Sequence, residues 1–91
     1  MSERDTAKAQ LVHKIGEIIR HNGFTQVQAA KILGLTQPKL SGILRGQFRG
    51  VSERKLIDCL TSLGQDVEIV VRGGPGRRAG GKLTVVFASP E

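Results

Sequence analysis

The stretch that most constrains this chain is Thr25–Gly46, TQVQAAKILGLTQPKLSGILRG, where several independent requirements of backbone and side chain coincide. Thr25 is able to accept a hydrogen bond from the first-turn N–H groups of a helix, and Gln28, three residues on, completes a capping-box pattern. A helix is therefore predicted from about Gln26, with Ala29, Ala30 and Leu33 on one face and Gly34 as its left-handed stop. Thr36 is a second cap. Pro38 is tolerated after it because the first turn of a helix needs no N–H donors, and Leu40, Ile43 and Leu44 make a new apolar face. Two short helices thus meet at a tight turn, and the small Ala30 lets the second cross close to the first.

This pattern resembles the helix-turn-helix of Cro/repressor (Xre) proteins, whose second helix enters the major groove of DNA. The resemblance covers about residues 6–64, with its specific signal in 25–46. It implies a mainly α fold: a lambda-repressor-like domain of four to five helices. It also implies that Gln26, Thr36, Gln37, Pro38, Lys39, Ser41, Gly42 and Arg45 lie towards DNA. Gln37 matches the family pattern, and a glutamine there can read adenine through a paired donor and acceptor. Gln26 resembles the residue that sits over the DNA backbone. Lys39 and Arg45 suit phosphate by their chemistry, or guanine if they reach the groove floor. The chain departs from the family at Pro38 and Gly42, where longer polar groups often touch bases. Gly42 costs a helix on the order of 1 kcal/mol against alanine, so it is expected to permit close approach, either to DNA or to the preceding helix.

Charge agrees with a polyanionic partner. Lys+Arg number 14 against 8 Asp+Glu, a net charge of +6. Its distribution is sharper than its sum: no acid lies between Glu17 and Glu53, a window holding Arg20, Lys31, Lys39, Arg45 and Arg49. An ordinary solvated face is the plain alternative. Phe24, Phe48 and Phe87 are the sole aromatics, too few for stacking platforms that bind single strands.

Around this centre the chain reads as helices, then strands. Asp5 or Thr6 caps a first helix carrying Leu11, Ile15, Ile18 and Ile19, which ends near His21 before Asn22-Gly23. His21 is well placed at the negative end of that helix, or alternatively against a phosphate. After the helix pair, GQFRG forms a loop in which Phe48 packs beneath the helices and Arg49 is free to reach a phosphate. Ser52 caps a further helix bearing Leu56, Ile57, Leu60 and Leu63, and Gly64 stops it. The period then becomes two in DVEIVVR and KLTVVFA, predicting strands. Between them RGGPGRRAGGK reads as a mobile basic connection with Arg72, Arg77, Arg78 and Lys82. Domains are accordingly placed at 1–64, the DNA-binding unit, and 65–91, a dimerisation element. Two strands alone do not bury their faces, so either a second copy covers them or they fold back over the helices. DNA readers of this type commonly bind as dimers to half-sites roughly 34 Å apart.

Other chemistries find little support. Gly76–Lys82 matches the start of a phosphate-binding loop, but Leu83 stands where Ser or Thr should hold magnesium, and a strand follows where a helix is required. One thiol, Cys59, and two scattered histidines, His13 and His21, make no metal site. No catalytic constellation, metal or cofactor is expected. The lone cysteine, the absence of a membrane-length apolar run and the polar start MSERDTAKAQ favour a soluble cytoplasmic protein, nucleoid-associated when on DNA.

The junction SLGQDVEIVV carries a second, narrower resemblance, to HigA-like antitoxins of type II toxin–antitoxin modules. It implies an operator-binding dimer that neutralises a RelE/HigB-like toxin cleaving messenger RNA. Against the repressor stands a protein-interaction module that keeps the fold but uses its strands mainly to hold a partner.

Overall fold

A computed structural model of the chain describes residues 3–73 and 80–88. Four helices follow in order: α1 Glu3–His21, α2 Gln26–Leu33, α3 Gln37–Leu44 and α4 Glu53–Ser62. The starts of α2, α3 and α4 and the stops of the helices have local causes. Thr25, Thr36 and Ser52 lie in extended backbone, and their hydroxyls accept from the N–H groups of Gln28, Lys39 and Lys55. At the end of α2, Gly34 adopts φ 67°, and the next residue, Leu35, donates to Ala30 O at 2.9 Å. That pairing satisfies a carbonyl left over by the helix and turns the chain sharply. The same backbone bond recurs from Phe24 to Ile19, from Gln47 to Gly42 and from Gln65 to Leu60.

The helix ends direct the apolar faces inward. Ile15, Leu40 and Leu56 are the largest fully buried side chains, and Leu11, Ile18, Ile19, Leu33, Ile43, Leu60 and Leu63 surround them. Each fully buried aliphatic side chain contributes about 1.5–3 kcal/mol by leaving water. Ala29 and Ala30 are buried as well, so α2 meets the core through methyl groups and approaches its neighbours closely. Gly16 does the same for α1: a Cβ there would stand 3.5 Å from Leu44 of α3. Phe48 and Leu44 are partly buried against the core, as the loop and helix patterns require.

Two sequence expectations need correction. α1 begins at Glu3, ahead of the proposed caps Asp5 and Thr6. Acidic residues at these early positions suit the positive end of the helix, so it extends through them. The second correction is larger. DVEIVVR and KLTVVFA show no strand: residues 65–73 and 80–88 carry no regular structure, and no sheet occurs among the described residues. A strand is held by a neighbour's backbone groups, and alternation of side chains cannot supply that neighbour. Instead the two segments lie against the α1–α4 face. Val85 packs on the core, and the Phe87 ring lies 5.5 Å from Lys14 Nζ. A groove of about 380 Å³ remains there, lined by Leu11, Ile57, Leu60, Val67 and Phe87 among others. The phosphate-loop-like Gly76–Ala79 stretch, with Arg77 and Arg78, falls outside the described residues.

Candidate nucleic-acid interface

The caps that start α2 and α3 also decide which polar side chains remain available. Thr25 and Gln28 bond reciprocally: Gln28 N–H donates to Thr25 Oγ1 at 3.1 Å, and Thr25 N–H donates to Gln28 Oε1 at 2.9 Å. Gln28 is thereby folded back onto the helix start, whereas Gln26 points out. Thr36 similarly spends its hydroxyl on Lys39 N–H at 3.2 Å, which places Gln37 in the first turn of α3. The turn between the helices brings Gln26 and Gln37 together, with Gln37 Nε2 donating to Gln26 Oε1 at 2.8 Å. Residues eleven apart in sequence thus form one amide pair on the surface. Each amide keeps unused donor and acceptor capacity for an incoming group.

The rest of α3 divides cleanly by angle. At about 100° per residue, Leu40, Ile43 and Leu44 share one side, while Gln37, Pro38, Ser41, Gly42 and Arg45 fall within an arc of about 140° on the other. Gln26, Thr36, Gln37, Pro38, Lys39, Arg45 and Arg49 are exposed, and Ser41 is half-buried. Gly42 differs, because it is buried. A Cβ at Gly42 would stand 2.8 Å from Gln47 Oε1, so the close approach it permits is that of Gln47 rather than of α2. Gln47 was not singled out in the sequence. The available signal was a glycine inside a helix with a glutamine just past its end.

Electrostatics separate this face from the remainder. Three of the described acids are engaged with other cations. Glu17 lies 3.2 Å from Lys14 Nζ and 3.7 Å from His13 Nε2, Glu53 lies 3.7 Å from Arg4, and Asp58 lies 3.6 Å from Arg54. The hydrogen bond and charge of Lys14 hold the Glu17 carboxyl below its usual value. Among the described residues no ion pair involves Lys31, Lys39, Arg45 or Arg49. The Arg49 carbonyl accepts from Lys8 Nζ at 3.0 Å, which ties the loop to α1 while its guanidinium stays in solvent. Such an array of unpaired cations attracts a polyanion. No group of acids, histidines or cysteines able to hold a metal occurs among the described residues. Cys59 is buried, and burial pushes its thiol up from the ordinary value, away from the reactive thiolate. No helix in the described residues is long and apolar enough to cross a membrane.

Comparison with known proteins agrees with this geometry. Residues 2–72 match a family model described as a helix-turn-helix domain. A solved structure named as an XRE family transcriptional regulator superposes with a TM-score of 0.85 at 36% sequence identity, covering 94% of this chain and 97% of its own. No significant match is found among curated proteins. The family model and the shared structure agree, and the chain belongs to the XRE-type helix-turn-helix family.

Proposed function

We propose that the protein is a sequence-specific DNA-binding transcriptional regulator, a repressor that reads a palindromic operator as a homodimer. The observation that carries this reading is the Gln26–Gln37 amide pair, bonded at 2.8 Å on an exposed face whose cations have no acidic partner. α3 enters the major groove. Gln37, braced by Gln26, reads adenine, while Lys39 and Arg45 take phosphate or guanine. Thr36 and Ser41 offer hydroxyls at the groove edge, Pro38 offers an apolar surface to a thymine methyl, and Arg49 reaches a phosphate from the loop. No catalytic step or cofactor enters, and the protein acts in the cytoplasm on the nucleoid. Selection from random duplexes tests the reading: a palindromic consensus with half-sites about one turn apart is expected. Affinity for the selected duplex no better than for random duplex at physiological salt overturns it.

A finer reading makes the repressor an antitoxin that controls its own operon and neutralises a RelE/HigB-like toxin. It is supported by the QDVEIVV junction, in which Ile69, Val70 and Val71 are exposed. Those positions offer an apolar surface to a second copy or to a partner protein. Co-expression with the toxin encoded beside it should restore growth; a neighbouring gene without such a toxin removes the reading. The same surface favours the alternative of a module that mainly holds a partner protein. That alternative predicts tight partner binding by a chain that selects no DNA consensus.

A further inference from the structure

Gly42 lies on α3 about 40° from Pro38 and about 60° from Arg45, on the side away from Leu40 and Ile43. By helical angle the position belongs to the polar side of α3, yet the residue is buried. Its cover is Gln47, whose Oε1, Cδ and Cβ stand 2.8, 3.8 and 3.9 Å from where a Cβ on Gly42 would be. Backbone geometry fixes this placement. Gly46 turns the chain at φ 108°, and Gln47 N–H then donates to Gly42 O at 2.9 Å. Gln47 is itself exposed, and among the described residues its carboxamide makes no hydrogen bond.

We propose that Gln47 is a base-reading residue that supplies, from the loop after α3, the carboxamide which Gly42 leaves out of the recognition face. This rests on the DNA-binding reading above. Whichever way the amide is turned, it presents one donor edge and one acceptor, the pair that matches adenine N6 and N7 in the major groove. Gly42 and Gln47 then act as a unit: the glycine clears the space, and the glutamine fills it with a group positioned by the loop.

The test compares wild type, Gln47→Ala, Gln47→Glu and Gly42→Ala, each by selection on random duplexes and by fluorescence anisotropy on the wild-type consensus. Gln47→Ala should keep the half-site spacing and salt slope, lose preference at one base pair per half-site and bind the consensus about tenfold more weakly. Gln47→Glu, nearly isosteric but acceptor-only, should move the preference at that same pair towards cytosine. Gly42→Ala retains the carboxamide but displaces it, so preference should relax at the same pair. Circular dichroism melts reveal any loss of fold, and should Gln47→Ala unfold, the shift with Gln47→Glu decides. An unchanged base preference at every position in these variants overturns the inference alone. A wild-type protein with no consensus overturns the DNA-binding reading and this inference together.

Discussion

Residues 3–64 and the described residues after them, 65–73 and 80–88, use similar apolar residues with opposite results. In the helical part, Ile15, Leu40 and Leu56 are almost wholly out of water. In the C-terminal part, Ile69 is 74%, Val71 is 91% and Val86 is 82% exposed. The difference lies in the backbone. A helix satisfies its own N–H and C=O groups, so its apolar stripe is free to choose a partner surface. An extended segment leaves those groups open, and its apolar face is buried only if another strand or surface is supplied. Apolar alternation is therefore a statement about a missing neighbour as much as about local conformation.

The sharpest way to probe this contrast is to truncate one side of it. Leu56→Ala should cost about 2–5 kcal/mol, a large share of the stability of a domain this size, read as a lowered urea midpoint. Thr25→Ala removes one half of the capping box and should cost about 1 kcal/mol, with some loss of operator affinity because Gln26 is carried by the same helix start. The double change Ile69→Ser and Val71→Ser should leave the unfolding of the helical part within about 0.5 kcal/mol per site, as for exposed positions generally. If a second copy covers this surface, light scattering should show the double variant falling to 9.8 kDa. A concentration-independent loss as large as that of Leu56→Ala would break the contrast, since the segment would then belong to the core. The smallest effect concerns Cys59. Burial raises its thiol pKa in the folded state, so its contribution is complete below the unfolded value and is lost as pH rises through the folded one. Alkylation at mildly alkaline pH should accordingly be much slower in the native protein than in urea.

The helical part was legible because its signals are local. Capping threonines, glycines at the stops and a 3.6-residue apolar period each act within a few residues, and Thr25, Gly34, Thr36, Ser52 and Gly64 stand where those signals put them. The exposed placement of Gln37, Lys39 and Arg45 follows from the same periodicity. The start of α1 was misplaced because Asp5 and Thr6 suit both a cap and a first helical turn.

The sequence by itself determined four helical segments, their ends apart from the start of α1, the inward face of each and an acid-free basic centre, because these depend on interactions spanning five residues or fewer. Tertiary structure decided the rest. Only the crossing of α2 and α3 brings Gln26 to Gln37, only the turn at Gly46 lays Gln47 over Gly42, and only the α1–α4 face gives Val85 and Phe87 something to rest on. Each of these depends on where two elements stand in space, and such a distance is fixed by the packing of the whole core rather than by any stretch of sequence.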